Sequence, residues 1–148
     1  MPSTFGNMHS LLDCNLRDNF LAGTMPAEVS KLSRLTRLDA RSNALTGSLP
    51  VSFSRLISLT ELNLGGNAFT GPFDSHFNEW TMLETLGLSG NSFTGSLSNL
   101  YLPKLIILFV QSNKFTGPLD EMFSETRRYE ELVNVDLSGN KKYNPNFL

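Results

Sequence analysis

The chain of 148 residues has 40% hydrophobic and 18% charged side chains and a formal net charge of -2. This length allows one domain with a continuous buried core, but it is too short for two independent globular units of ordinary size. Such a charge offers no long-range attraction for phosphate backbones, which argues against a nucleic-acid partner. The longest wholly apolar run, Leu105 to Val110, is far shorter than the roughly 20 residues that cross a bilayer, so we expect no membrane span.

An asparagine recurs along the chain in one frame, with apolar residues standing eight, five and three positions before it. Alternating apolar positions indicate a short strand with one buried face. The repeat period falls within the roughly 20 to 29 residues typical of leucine-rich repeats, so we predict about six rungs. The asparagines are Asn19, Asn43, Asn67, Asn91, Asn113 and Asn140.

Glycine follows four positions after each asparagine except the last, which predicts a turn that needs glycine's backbone freedom. Residues Leu45 to Pro50 (LTGSLP) and Phe53 to Leu56 (FSRL) resemble the plant-type leucine-rich repeat of receptor-like kinases, receptor-like proteins and polygalacturonase inhibitors. The resemblance covers nearly the whole chain. It implies an α/β-type solenoid, with short parallel β-strands on the concave face. The convex face would carry irregular turns and short 3-10 or helical segments.

Departures from this pattern concentrate in the C-terminal half. Proline follows the turn at Pro26 and Pro50 but is replaced by Asp74, Ser98 and Asp120 later, so we expect a less regular convex side there. The last rung carries a charged insertion at about 122–131, which we interpret as a solvated helical face, and residues 141–148 form a tail. We treat residues 1–148 as a single domain.

The first residues occupy the frame of a repeat interior, since Met1-Pro2 matches Met25-Pro26. We therefore expect the chain to open in the middle of a repeat. The paired cysteines that usually cap extracellular members of the family are missing, and Cys14 is predicted to be a buried structural thiol. We infer a segment of a longer solenoid, or a chain whose ends a neighbouring subunit shields, because solenoid ends need capping. The polar stretch Met1 to Ser10 has no signal-peptide character, so any export signal would lie outside this sequence.

The recurring asparagine is predicted to be structural. Its amide offers two donors and one acceptor, which can satisfy backbone groups that each turn leaves facing inward. We expect Asn67, in a central rung, to matter more for stability than Asn140.

Function is expected from the side chains that point outward from the strands. At the N-terminal end these are charged, and they either pair with one another or contact a partner. They are Arg37, Asp39, Arg41 and Glu61.

Two large apolar side chains, Ile107 and Phe109, fall on the same outward face, with Asp136 on the next rung. The small Gly87 and Ser89 on the preceding rung predict a shallow pocket beside them. Phe109 is predicted to be solvent-exposed, and exposed aromatic residues flanked by polar groups are typical binding anchors. The alternative is that the charged insertion folds over both apolar side chains.

The sequence contains no pattern that indicates a catalytic site. His9 and His76 are the two histidines, and neither has a nucleophile or metal-ligand partner at motif spacing. We therefore predict a protein that is not an enzyme, with no cofactor and no metal.

Three functions remain open. The resemblance implies a protein or peptide recognition module that uses the concave strand surface. A structural or assembly subunit of a larger complex is the alternative. Ice binding is a minor alternative, because threonine recurs at one position of the repeat and would form a column. These residues are Thr46, Thr70, Thr94 and Thr116. The resemblance also favours the cell exterior, although no Asn-x-Ser/Thr glycosylation site is present and an intracellular or organellar location stays open.

Overall fold

The computed structural model describes residues 2–118 and 129–140. Within these ranges the chain forms ten short strands, which pair in parallel in two sheets. The strands are β1 (Asp13–Asn15), β2 (Ala22–Thr24), β3 (Arg37–Asp39), β4 (Ala44–Gly47), β5 (Glu61–Asn63), β6 (Ala68–Pro72), β7 (Thr85–Gly87), β8 (Ser92–Thr94), β9 (Ile107–Phe109) and β10 (Asn134–Asp136). The six-stranded sheet has the order β1-β3-β5-β7-β9-β10, and the four-stranded sheet has the order β2-β4-β6-β8.

The six-stranded sheet contains one strand from each predicted rung. Its central residues are directly in register: Leu38 lies between Cys14 and Leu62, and Leu86 lies between Leu62 and Leu108. These side chains are buried, as the apolar spacing predicts for the inward face of each strand. The predicted leucine-rich-repeat solenoid is therefore confirmed.

The four-stranded sheet was not predicted from the sequence. The residues after each asparagine were interpreted as a turn, and glycines such as Gly47 (φ 76°) and Gly71 (φ 82°) do have left-handed backbones. Gly47 is nevertheless the last residue of β4, and Gly71 lies within β6. In β4 the exposed Ala44 and Thr46 flank the buried Leu45, so the alternation that indicates a strand is present but short.

The opposite side of the solenoid carries 3-10 helices, and no α-helix occurs in the described residues. Their bounds are η1 (Ser3–Asn7), η2 (Ala27–Lys31), η3 (Val51–Arg55) and η4 (Ser75–Phe77). Proline precedes the first three, and its fixed φ suits a helix start. Asp74 precedes η4, which is only three residues long. The convex side thus loses regularity where proline is lost, as predicted.

Aromatic side chains fill the core between the two sheets and the convex side. The rings of Phe69, Phe93 and Phe115 stack along the solenoid at centroid distances of 5.7 and 6.4 Å. Trp80 is fully buried, and its indole N–H donates to the carbonyl of Phe53 at 2.9 Å. This bond satisfies the polar atom of a buried ring, which would otherwise cost free energy.

Residues 122–128 of the predicted helical insertion, and the whole tail 141–148, lie outside the described residues. The described end of the insertion is a turn, where the Tyr129 hydroxyl donates to the carbonyl of Leu100 at 2.6 Å. No helix among the described residues is long and apolar enough to span a bilayer.

The repeat asparagines join consecutive rungs. The Asn67 side-chain amide donates to the carbonyls of Leu64 in its own rung and Ala40 in the preceding rung, both at 3.0 Å. Its side-chain oxygen accepts from the backbone N–H of Leu45 at 3.0 Å. Equivalent bonds are made by Asn43, Asn91, Asn113 and Asn140.

The expectation that Asn140 matters less than Asn67 is not supported by these contacts, because both side chains make the same bonds between rungs. Asn19 is the asparagine that differs. Its described bonds go to the carbonyls of Leu16 and Arg17, within its own turn, and the residue is exposed.

We expect Asn67→Ala to lower the free energy of unfolding by about 1–3 kcal/mol, because it leaves backbone groups of two rungs without partners. Asn19→Ala is the matched control and should lower it by less than about 1 kcal/mol. Urea denaturation of both variants measures the difference. Equal losses would show that the bonds between rungs contribute nothing.

Burial raises the pKa of the Cys14 thiol from 9.0 to about 11, with a smaller contribution from Asp13. Because the thiolate is the reactive form, labelling of the native chain by a disulfide reagent at pH 8 should be at least about 100-fold slower than labelling of the urea-unfolded chain. The absorbance of the released thiol reports both rates. Similar rates would contradict a structural, buried Cys14.

Candidate functional site

The charged residues of the first three rungs form an ion-pair network. Arg37 lies at the centre, 3.0 Å from Glu61, 3.4 Å from Asp13 and 3.9 Å from Asp39. The pKa of Arg37 is raised above its usual value, chiefly by Glu61. The Arg37 Nε atom forms an ion pair with Glu61 but not a hydrogen bond, because its hydrogen is not directed at the carboxylate. In the free protein these charged side chains therefore pair with one another.

Asp39 was predicted to project outward as a contact residue, and the structure corrects this prediction. Its side chain is 0% exposed. The Oδ1 atom accepts from the backbone N–H of Arg41 at 3.3 Å, and Oδ2 lies 3.1 Å from the Arg41 guanidinium. The carboxylate is turned back against the end of its own strand and is covered by Arg37 and Arg41. It therefore positions these two side chains and does not itself face a partner.

The turn made by Asp39 recurs along the sheet. Asn15, Asn63 and Asp136 occupy the same repeat position, and each accepts the backbone N–H two residues further on, at 3.2, 3.3 and 3.0 Å. Asparagine and aspartate commonly make this turn. Their recurrence four positions before the repeat asparagine was the sequence signal that could have identified Asp39 as structural. In Asp136 the hydrogen bonds from the Ser138 side chain and backbone lower the carboxyl pKa.

A shallow depression of about 260 Å³ lies on the six-stranded sheet, at the place where small residues predict one. Gly87 and Ser89 contribute to its floor, Phe109 to one end and Arg41 to the other. A β-carbon at Gly87 would approach the Asn63 side-chain oxygen to 2.9 Å, so a larger residue there would displace the Asn63 side chain.

The two large apolar side chains beside this depression, Ile107 and Phe109, are partly buried. Phe109 is therefore more covered than the predicted solvent-exposed position. Its register neighbours are Gly87 on one side and Asp136 on the other. The ring still lines the depression and forms its largest apolar surface.

The charged network and the depression form one continuous surface. Arg41 belongs to both, since it pairs with Asp39 and also lines the depression. From β3 to β9 the sheet advances three strand steps, a distance of roughly 14 Å. We refer to this region, Arg37, Arg41, Glu61, Gly87, Ser89, Ile107, Phe109 and Asp136, as the strand surface.

The two histidines lie away from the strand surface. The His76 ring contacts the Asp74 carboxylate, and this carboxylate also accepts the His76 backbone N–H at 2.9 Å. The latter bond is the main cause of the lowered pKa of Asp74. The His9 Nδ1 atom lies 3.4 Å from the carbonyl oxygen of Lys31. Among the described residues, no group of three or more His, Cys, Asp or Glu side chains could hold a metal ion.

The predicted threonine column is staggered in the structure. In the four-stranded sheet Thr46 is in register with Thr24 and Ala68, and Thr70 is in register with Ser92. Successive members of the column are thus displaced by two residues, or roughly 7 Å along the strands. They therefore do not form a flush row of hydroxyl groups across the strands.

We expect Asp39→Ala to lower the free energy of unfolding by about 1–3 kcal/mol, because it removes a buried acceptor and leaves two guanidinium groups with fewer partners. Asp13→Ala is the control: this carboxylate also pairs with Arg37, but its side chain is 56% exposed. The control should change stability by less than about 1 kcal/mol. Thermal melts at low and high salt measure both, and an equal effect would contradict the supporting role of Asp39.

The comparisons with known proteins agree with this geometry. A sequence profile of the family described as Leucine rich repeat matches residues 33–93. No match was found among curated protein sequences. The leucine-rich-repeat ectodomain of the receptor kinase SOBIR1 from Arabidopsis thaliana is 31% identical, with a TM-score of 0.76, over 85% of this chain and 68% of that chain.

Two ligand complexes are also similar. PEPR1-AtPEP1 is 30% identical, with a TM-score of 0.86, over 95% of this chain and 20% of that chain. The Arabidopsis HAESA ectodomain, in complex with an extended IDA peptide hormone ligand, is 25% identical, with a TM-score of 0.86, over 95% of this chain and 23% of that chain. This chain thus spans about a fifth of the length of these two receptors. On its repeat pattern, its solenoid and these similarities, the chain belongs to the plant-type leucine-rich-repeat family.

Proposed function

We propose that the protein is a non-catalytic recognition module that binds a peptide or a protein loop on the concave strand surface. The observation that carries this proposal is the depression between Arg41 and Phe109, which combines a floor of small residues with an aromatic wall. Similar solenoids in complex with peptide ligands, such as the HAESA ectodomain with its peptide hormone, support it.

The dimensions of the surface favour an extended segment. The part of the surface from β3 to β9, roughly 14 Å, matches four or five residues of extended chain at about 3.3 Å per residue. The glycines Gly65, Gly66 and Gly87 in the floor leave room for a peptide backbone to approach closely. A folded partner would have to present a protruding loop to reach the same floor.

The residues of the strand surface have different roles in this proposal. Phe109 and Ile107 supply apolar contact area, and aromatic anchors carry much of the binding energy in protein interfaces. Arg37 and Glu61 are already paired in the free protein, so they contribute mainly to the orientation and rate of association.

A location on the cell exterior follows as part of the same proposal. The similar structures include ectodomains of membrane receptor kinases. A recognition surface of this kind would then meet secreted peptides or the exposed loops of neighbouring proteins.

One observation favours the second candidate, a structural or assembly role. In the edge strand β10 and just before it, Val135 is 37% exposed and Val133 is 83% exposed. An edge strand with exposed apolar side chains is a natural place for lateral packing against another protein. Light scattering of the purified chain separates the candidates, because concentration-dependent association that Val133→Lys abolishes would favour assembly.

We expect Phe109→Ala to weaken binding of peptides selected on the full chain from a random displayed library by at least about 2 kcal/mol, the scale of an interface hot spot. The free energy of unfolding should fall by less than about 1.5 kcal/mol, because the ring is only partly buried. Titration calorimetry and thermal melts measure the two effects.

Phe20→Ala is the matched control, since Phe20 is 100% exposed and lies off the strand surface. It should leave both affinity and stability unchanged. If Phe109→Ala instead costs several kcal/mol of stability, the ring is core and cannot be the anchor. If selected peptides bind both variants equally well, recognition lies elsewhere.

A further inference from the structure

Gly65, in the floor of the depression, has a polar side chain on each side. A β-carbon at Gly65 would lie 2.9 Å from the Ser89 Oγ atom and 3.5 Å from the Asn63 Oδ1 atom. Arg41 occupies the equivalent position of the preceding rung, two residues after the register pair of Asp39 and Asn63. All three of these polar side chains line the depression. We refer to the space above Gly65 that Arg41, Asn63 and Ser89 border as the Gly65 subsite.

The donors of these three side chains make no hydrogen bond within the described residues. Arg41 forms an ion pair with Asp39, but the Asp39 Oδ2 atom receives no hydrogen bond. The Asn63 Oδ1 atom accepts from the backbone N–H of Gly65 at 3.3 Å, whereas the Asn63 amide nitrogen and the Ser89 hydroxyl group have no partner in the described part of the chain. The Gly65 subsite therefore offers more donors than acceptors to a ligand.

The charge at the depression comes from Arg41, which is the charged residue among those that line it. Its side chain is 38% exposed, and its partner Asp39 is fully buried beneath it. The carboxylates of Asp13 and Glu61 pair with Arg37 and do not line the depression. A ligand that enters the depression thus contacts a guanidinium and no carboxylate. Because Asp39 offsets part of this charge, hydrogen bonding contributes to the preference for an anion together with charge.

We propose that the Gly65 subsite binds the carboxylate of an aspartate or glutamate side chain of the peptide or protein partner. Arg41 and the Asn63 amide lie on diagonal positions of neighbouring strands, roughly 8 Å apart at the backbone, and donate to the two carboxylate oxygens. The Ser89 hydroxyl group donates from the next rung. Charge-assisted hydrogen bonds from arginine to a carboxylate are among the stronger ones in proteins. This inference rests on the proposed recognition function and names the ligand chemistry of one part of the same surface.

The distance from Gly65 to Phe109 adds a spacing to this proposal. Phe109 lies two strands and two residues away, or roughly 12 Å. An extended chain covers that distance in about three or four residues. We therefore expect the ligand to carry an acidic residue and a large apolar residue three or four positions apart.

The test uses the full chain, labelled with 15N, and the tripeptide Ac-Ala-Glu-Ala-NH2 as the probe. We expect concentration-dependent shifts in the amide signals of Gly65, Gly66 and Ser89. The analogues with glutamine and with lysine in place of glutamate should bind at least about fivefold more weakly, because they remove or reverse the charge that Arg41 contacts. Equal binding of either analogue, or no shift with the glutamate peptide, would overturn the proposal.

A carboxylate at a chain end is the competing source of the same chemistry. The peptide Ac-Ala-Ala-Ala-OH carries its carboxylate there, on the backbone, and lacks the side chain that reaches the floor while the backbone passes above it. It should bind at least about fivefold more weakly than the glutamate peptide. Equal or tighter binding would assign the Gly65 subsite to a chain terminus and overturn the side-chain assignment.

Asn63→Asp removes the donor without removing the turn. Aspartate makes the same turn at this repeat position in Asp39 and Asp136, so the variant should fold. Its carboxylate would repel the ligand carboxylate, and we expect the glutamate peptide to bind at least about tenfold more weakly. Asn15→Asp is the matched control, because Asn15 makes the same turn in the first rung and does not line the depression. It should change affinity less than about twofold. Equal losses in the two variants would contradict a site at Gly65.

Two further variants test the cation and the space. Arg41→Gln keeps a polar side chain but removes the charge, and Gly65→Ala places a methyl group in the floor where the ligand oxygens would lie. Each should weaken the glutamate peptide at least about fivefold, while thermal melts confirm that the variants are folded. Unchanged affinity in either variant would show that the carboxylate binds elsewhere.

A selection of peptides on the full chain from a random displayed library distinguishes this inference from the proposed function. Enrichment of an acidic residue three or four positions from an apolar one, in peptides that need Phe109, supports both. Peptides that need Phe109 but show no preference for acidic residues would overturn the carboxylate subsite and leave the recognition function standing. Failure to select any peptide that depends on the strand surface would overturn the recognition function, whatever the tripeptide does.

Discussion

The asparagine side chain that joins each rung to the one before it is the interaction on which the structure depends. Strands of three residues form too few ladder bonds to define a sheet alone, and the turns between strands leave inward-facing backbone groups that need partners. One amide satisfies carbonyls of two rungs and one N–H of the preceding rung, as Asn67 does with Leu64, Ala40 and Leu45. The spacing of neighbouring rungs is thereby fixed, and the six-stranded sheet with it.

Once the rungs are held in this way, the outward positions of the strands are free to vary. The inward positions repeat leucine or another apolar side chain, whereas the outward ones change from a charged network around Arg37 to the partly buried Phe109. The depression exists because small residues about 24 positions apart, such as Gly65 and Ser89, become neighbours between the larger Arg41 and Phe109. A recognition surface of this kind is a property of the stack and not of any single repeat.

The electrostatics of the strand surface divide it into two ends. At the charged end the arginines are committed to carboxylates within the sheet, and the buried Asp39 is the most constrained of these. At the aromatic end no residue of β9 or β10 is basic. Exposed ion pairs contribute little net stability, so the charged side chains of the first end mainly set the local electrostatic potential, while the Phe109 ring gives the second end its apolar contact surface.

The sequence by itself determined the repeat, the inward leucines, the bridging asparagines and the position of the depression, because all of these follow from spacing: the period fixes which residues stack, and alternation fixes which face they occupy. Only the tertiary structure decided how side chains on the outward face arrange themselves. The burial of Asp39 depends on its own strand end and on two arginines, and the partial burial of Phe109 depends on its neighbours on adjacent strands. The second sheet and its shift of two residues per rung likewise arise from backbone pairing between turns, which no single repeat contains.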